Sequence, residues 1–430
     1  MMKPLKDWLI KISKNIDTFC NKAFDLFMAY FRKYYLILVF AVIFVLSFLV
    51  RWVFIHYLSG DMYGALLPWF NFLKQNGGFK AMGSYPWTPQ VISKPGDYPV
   101  AYINILALLS YLPLDGIVSI KLSSILFDYI LAFGVIKLIR LWNKNNYFSL
   151  ISFIVLVFFP TSILNSGLWG QADQMYVALV VWTLYFLIRK RHGWAMILLG
   201  FAIAIKLQTT FFLPVLVFLW LNKEFKLRSL IILFAAIFLT FIPSYIAGAP
   251  FNMPFDMYKL QITGLYKNAN YGAGSIYAFF EFSGLKGGIN AGAGIIGAFT
   301  AIGVAILVLF HYKVPATPKN TIYVAVLFSL LSPFFLPHMH ERYFYMADAF
   351  VILYVLIYKR KYWLGLLMSF SSVLAYTHFL MGGYIFKFLD QDSVRLAALI
   401  NLFIIIYLVY DAPKVLDKST NENNTNLKLN

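Results

Sequence analysis

Pro337-His338-Met339-His340-Glu341-Arg342-Tyr343 sets two histidines, a glutamate and an arginine side by side, directly between apolar runs at 320–336 and 344–358. Ionisable groups at membrane depth are costly unless they pair, line a wet cavity or act on a ligand. The reading of this stretch decides the fold: it is a polar junction between two spans, and the rest of the chain is a scaffold that brings other polar residues to the same side.

Composition supports that reading. Hydrophobic residues make up 61% of the 430 residues and charged residues 13%, with a mean hydropathy of +0.72, outside the range of soluble domains. The fold class expected is an all-α polytopic membrane protein, a bundle of about 11–13 transmembrane or partly spanning helices. The charge of +18 comes in short clusters between apolar runs, as in cytoplasmic loops and unlike a nucleic-acid surface. The single cysteine, Cys20, excludes an internal disulfide and a cysteine-based metal site. With no small-residue cleavage site before it, the first span is expected to remain as an anchor.

In chain order, residues 1–33 alternate lysines with apolar residues at helical spacing, which predicts an amphipathic helix on the cytoplasmic leaflet; a basic N-terminus that merely enforces topology fits equally. A transmembrane unit over 34–410 follows, beginning with a span at 34–58. A first outer loop at 59–100 carries Asp61, Trp69, Trp87, Asp97 and Tyr98, with a short interfacial helix from Tyr63 to Leu73. Residues 101–139 divide at Pro113-Leu114-Asp115-Gly116 into a short dipping piece and a full span. Spans at 148–165 and 174–188 flank Trp169-Gly170-Gln171-Ala172-Asp173. Residues 194–222 lie between basic loops, so they cross an even number of times, as a hairpin of two short helices bending near Lys206-Leu207-Gln208. After a span at 229–247 comes a second outer loop, 248–290, then spans at 291–311, 320–336, 344–358, 362–382 and 395–410, and a cytoplasmic tail over 411–430. Counting crossings places Asp61, Asp97, Asp173 and the 338–342 cluster on the external side, with the lysine and arginine loops inside.

Each cluster admits more than one chemistry. Asp61 is either a partly desolvated general base or the N-cap of the interfacial helix. Asp97, before Tyr98 and Pro99, and Asp173 sit where turns and helix starts also favour aspartate, and Trp169 where an interfacial aromatic would. Lys206 either needs an anion or snorkels to the surface. His338, His340 and Glu341 as HxHE lack the i, i+4 histidine pair of a zinc helix. Glu341 with Arg342 forms a structural ion pair, or His338, His340 and Arg342 receive a phosphate at the helix start. Together with Lys206, this last reading makes a cationic phosphate site opposite outer-loop carboxylates. It suits a polyprenyl phosphate carrying a sugar, with Asp61 deprotonating an acceptor hydroxyl and Trp69, Trp87 and Tyr98 stacking on sugar faces. No soluble nucleotide-sugar domain is visible. A transporter or flippase for lipid-linked or acidic glycans is the alternative, and a non-catalytic scaffold leaves the sorted polar clusters unexplained.

The ordered set GDMY around Asp61, DYP at Asp97 to Pro99, WGQAD at 169–173, KLQ at Lys206 to Gln208 with Pro214, and HMHERY at 338–343 resembles the GT-C superfamily of integral membrane glycosyltransferases. It is most similar to mannosyltransferases related to the second mannosyltransferase of GPI-anchor assembly, and similar also to the dolichyl-phosphate-glucose-dependent glucosyltransferases. The resemblance implies inverting transfer of mannose or another hexose from a polyprenyl-phosphate donor to a glycan or glycolipid acceptor at the external face. It further implies Asp61 as base and no metal or cofactor, and Asp97, Tyr98, Trp169, Gln171, Asp173, Gln208 and Glu341 are expected around the substrates. Where members often carry DYPP, this chain has Val100. Usage rich in Lys, Asn, Ile and Phe points to a prokaryotic plasma membrane.

Overall fold

A computed structural model describes residues 2–84, 98–259, 268–280, 291–359, 361–380 and 390–417. Among these, the chain is almost entirely helical. The helices are α1 (Met2–Trp52), α2 (Leu67–Gln75), α3 (Val100–Leu109), α4 (Gly116–Ile139), α5 (Asn146–Val157), α6 (Pro160–Ile163), α7 (Asp173–Ile188), α8 (His192–Ile205), α9 (Leu213–Leu221), α10 (Leu230–Leu239), α11 (Ile242–Ile246), α12 (Met253–Lys259), α13 (Ala291–His311), α14 (Pro318–Phe335), α15 (Tyr345–Tyr358), α16 (Trp363–Leu380) and α17 (Asp390–Val415). Two dipeptide strands, β1 (Asn270–Tyr271) and β2 (Met339–His340), pair in parallel.

Five stretches are long and apolar enough to cross a bilayer: Asn21–Trp52, Gly116–Ile139, Leu227–Ile246, Gly292–His311 and Asp392–Val415. The pair Asn146–Val157 and Pro160–Trp169 makes a sixth, bent by 54°. The protein is an all-α, multi-pass membrane protein. The expected spans at 174–188 and 344–358 are the shorter apolar helices α7 and α15, while α3 is the short piece expected before the 101–139 break and α8 with α9 the two short helices expected over 194–222.

The expected surface helix over 1–33 and the start of the first span form one helix, α1, unbroken for 51 residues. Neither Gly nor Pro occurs between Pro4 and Gly60, so no residue of the kind that ends helices stands in the way. At about 1.5 Å per residue the helix is roughly 76 Å long, far beyond the ~30 Å of hydrocarbon.

The core is organised on α7, which packs against α4 and α8 and is buried on nearly every face. A helix apolar all round belongs in the interior. Asp173, at its first position, is thereby delivered to the centre of the bundle. The other breaks lie around it. Met62–Leu66 and Leu164–Trp169 are π-helical turns, and Leu207–Phe212 is a 3₁₀ segment entered from an extended Lys206 (φ −157°, ψ 130°). Lys121 is buried and donates from Nζ to the carbonyls of Phe54 (2.6 Å) and Tyr57 (2.7 Å) just past α1, placing a cation at the negative end of that helix.

Helix α8 meets α10 at Gly200, where an added Cβ would lie 2.6 Å from the Leu233 carbonyl oxygen and 2.8 Å from the Ala236 Cβ. Gly200→Leu must push the two helices apart, an overpacking cost of about 1–3 kcal/mol. A lowered thermal unfolding midpoint of the purified protein checks this, and an unchanged midpoint would show that the contact gives way.

Candidate functional site

The breaks in the helices converge on one polar junction. Asp61 precedes the first π-helical turn with helical backbone angles and makes no cap hydrogen bond, so capping does not account for its side chain. Its Oδ2 accepts from Trp169 Nε1 at 3.1 Å and from Gln171 Nε2 at 2.7 Å, and Arg342 Nη1 lies 3.2 Å away. The side chain retains 21% exposure. Oδ1 accepts no hydrogen bond from the described residues. One carboxylate oxygen is therefore anchored three ways, while the other is held by none of the described residues.

Two of the anchoring groups, Trp169 and Gln171, come from the end of the bent segment. Its π-helical turn ends in Gly170, whose left-handed φ of 74° reverses the chain. A Cβ there would lie 2.6 Å from Met62 Cε and 2.9 Å from Lys121 Cγ, so this turn accepts only glycine without displacement. It aims Gln171 at Asp61 from one side while Gln171 Oε1 accepts from the Tyr98 hydroxyl at 2.7 Å. Trp169 is fully buried. Its ring stacks on Phe379 at 5.0 Å and on the Arg342 guanidinium at 5.2 Å.

Asp173 heads α7, where the helix dipole favours a carboxylate. Its Oδ1 accepts from Lys206 Nζ at 2.5 Å, and its Oδ2 lies 3.6 Å from Arg342 Nε. Lys206 is 3% exposed and does not snorkel. Its ammonium sits over the rings of Tyr98 (5.3 Å), Tyr343 (5.5 Å) and Tyr176 (6.0 Å), a cage that favours a cation. Arg342 also donates to Glu341 Oε1 at 2.7 Å. Burial disfavours an ionised Glu341, but its hydrogen bond with His340 and the charge of Arg342 hold its pKa below the ordinary carboxylate value.

The histidines are organised by the segment that carries β1. The strand pairing sets Tyr271 opposite His340, and the two rings stack at 4.8 Å. His338 adopts a left-handed φ of 63°, with its amide donating to the Ala269 carbonyl and its Nδ1 2.7 Å from the Asn268 carbonyl oxygen. Among the described residues, no group of three or more His, Cys, Asp or Glu side chains is placed to hold a metal ion.

Beside the junction opens a cavity of about 260 Å³. Tyr98, Lys206, Gln208, Thr210 and His338 supply its polar lining, and Leu207, Phe211, Ile295, Leu336 and Pro337 its apolar wall. Tyr98 connects it to Asp61 through Gln171.

Of the residues singled out in sequence, Asp61, Tyr98, Trp169, Gln171, Asp173, Lys206, Glu341 and Arg342 meet at the junction, while Gln208 and His338 line the cavity and His340 flanks both. Asp97 and Trp87 lie outside the described residues. Two expectations change. Trp69 is 1% exposed and so, like Trp169, offers no open face for stacking. The cations, read as awaiting a phosphate, are already paired with Asp61, Asp173 and Glu341. Sequence reasoning passed over Arg51, Asp128 and Asp348, three buried ionisable residues whose signal was their place in or at the end of apolar runs.

The profile of Glycosyltransferase family 87 matches residues 98–333. That range takes in Tyr98, Trp169, Gln171, Asp173, Lys206 and Gln208, and leaves out Asp61 and the 338–342 cluster. A search among curated proteins found no match.

Asp173 stands between two buried cations. Removing one partner of a buried pair strands the other charge, at a cost of about 3–5 kcal/mol. Asp173→Leu is expected to lower the thermal midpoint of the detergent-purified protein by the equivalent of that loss, and a midpoint within error of wild type would contradict the assignment.

Proposed function

Because the chain belongs to glycosyltransferase family 87, we propose that it transfers a monosaccharide, mannose or another hexose, from a polyprenyl-phosphate donor to a lipid-linked or cell-envelope glycan. In this reading the reaction inverts the anomeric centre and takes place at the external face of the plasma membrane. The observation that carries it is the two-sided cavity joined by Tyr98 and Gln171 to Asp61. Its apolar wall suits a prenyl chain and its polar side suits a phosphate, the two chemistries of a lipid-linked donor. The motif resemblance to polyprenyl-phosphate-mannose-dependent enzymes points the same way.

The geometry supports the following assignment of roles. Asp61 Oδ1 takes the proton of the acceptor hydroxyl as that oxygen attacks the anomeric carbon, on the side opposite the phosphate. The bond from that carbon to the phosphate oxygen breaks, and polyprenyl phosphate leaves. Oδ2, held by Trp169, Gln171 and Arg342, keeps the carboxylate oriented through the step. Lys206, His338 and the amide of Gln208 face the cavity, where negative charge grows on the leaving phosphate. Lys206 has three ammonium hydrogens, so its bond to Asp173 leaves donors for that phosphate. Arg342, on the far side of Asp173, completes the electrostatic field.

The test is Asp61→Asn in nanodiscs with a polyprenyl-phosphate hexose and a membrane lipid extract as acceptor. Loss of a positioned base is worth about 10²–10⁴ in rate, and thermal stabilisation of the variant by the donor is expected to persist. Wild-type turnover by the variant would remove Asp61 as base, and a wild-type protein that transfers from no polyprenyl-phosphate hexose would sink the donor class.

A further inference from the structure

A second polar network lies apart from the junction, entirely inside the bundle. Arg51 and Asp128 are both fully buried in side chain, with Nε 2.8 Å from Oδ2. Arg51 Nε also donates to Ser166 Oγ at 3.1 Å, Nη2 to Ser162 Oγ at 2.9 Å, and Nη1 to the Ser47 carbonyl at 3.0 Å. Ser162 in turn donates to Asp128 Oδ1 at 2.9 Å. The neighbouring residue Thr161 donates to Asp348 Oδ2 at 2.7 Å, and Ser372 donates to Oδ1 of the same carboxylate at 2.7 Å. Backbone contact is equally close: a Cβ on Gly167 would stand 3.1 Å from Cα, Cβ and Cγ of Arg51.

Stability does not require such a pair. Replacing a buried ion pair by apolar residues of similar volume is often neutral or stabilising. What the pair does specify is register. Arg51 sits one residue before the end of α1, on the stretch that leads directly to Asp61. Ser162 and Ser166 lie on the bent segment that leads to Trp169 and Gln171, two of the three residues that anchor Asp61 Oδ2. Asp128 belongs to α4 and fastens both to a third helix.

We propose that Arg51 and Asp128 are positioning residues for the transfer reaction: through Ser162 and Ser166 they lock the end of α1 to the bent helix, setting Asp61 against Trp169 and Gln171. The proposal rests on the reading of Asp61 as the base. It predicts that loosening this lock lowers turnover while leaving use of the donor intact, because the cavity residues Lys206, Gln208 and His338 belong to other segments.

The experiment uses the full chain in nanodiscs and two variants. Ser162→Ala with Ser166→Ala cuts the link and keeps the ion pair; Arg51→Met with Asp128→Leu replaces the pair by apolar volume. Misplacement by about 1 Å costs on the order of 100-fold in rate. The expected result is a kcat lowered on that order, with the KM for a polyprenyl-phosphate hexose unchanged and the thermal midpoint near wild type. Hydrogen exchange supplies a readout independent of the donor. The amides of Gly170 and Gln171, which donate to the Asn165 carbonyl, are expected to exchange faster in both variants. If the doubly apolar variant does not fold, the serine variant decides alone. Wild-type kcat in a folded variant, a loss confined to KM, or unchanged exchange at Gly170 and Gln171 overturns the proposal. A wild type that transfers nothing from such donors, with exchange accelerated in the variants as expected, instead counts against the donor reading and keeps the lock.

Discussion

The guanidinium of Arg342 is the point on which the polar interior depends. It draws in Asp61 from just before the first π-helical turn, Asp173 from the head of α7 and Glu341 from the adjacent position, and it stacks on the indole of Trp169. An arginine suits this place because its planar fork serves several carboxylates at once and its face packs on an aromatic ring, which an ammonium cannot do. Three carboxylates converging without it would repel one another in a low-dielectric setting. With Lys206 as the second cation, the junction is close to charge balance, which is the condition for burying so many ionised groups.

Each group in the junction arrives from a place where regular helix fails. Irregular backbone at membrane depth is tolerated only against protein or a wet cavity, and here the two requirements meet: the exposed peptide groups and the functional side chains share the same enclosure. The π-helical turn at Leu164–Trp169 and the left-handed Gly170 show the principle most clearly. A straight continuation of α5 would carry Trp169 and Gln171 past Asp61. The 54° bend and the reversal at Gly170 turn both side chains back onto its carboxylate.

Much of this was legible in the sequence, for identifiable reasons. Ionisable residues in apolar runs are expensive, so Lys206 and the 338–342 cluster stood out, and the chain does break at Lys206 as the two-helix reading of 194–222 requires. Counting crossings grouped Asp61, Asp173 and the 338–342 cluster, and the folded chain brings these into contact. Rotation about a helix axis is not encoded in such counting. It decides that Trp69 and Trp169 turn inward instead of offering faces to a ligand, and that Lys206 and Arg342 are paired before any ligand arrives. The pairing of Arg51 with Asp128, 77 positions apart, depends on the register of α1 against α4, which no local pattern reports. Continuity of α1 was concealed because the change from basic to apolar composition near residue 33 reads as a boundary, although propensity does not change there.

The cavity beside the junction and the Asp61 carboxylate lie in different surroundings. The cavity has an apolar wall of Leu207, Phe211, Ile295, Leu336 and Pro337, whereas the Asp61 side chain keeps 21% exposure. Tyr98 and Gln171 join the two, with hydrogen bonds that run from the cavity wall to Asp61 Oδ2. Because Gln171 uses both ends of its amide in this chain, any shift of the Tyr98 hydroxyl toward a cavity ligand changes the bond that orients the carboxylate. The link is therefore a hydrogen-bonded route from the cavity wall to the carboxylate.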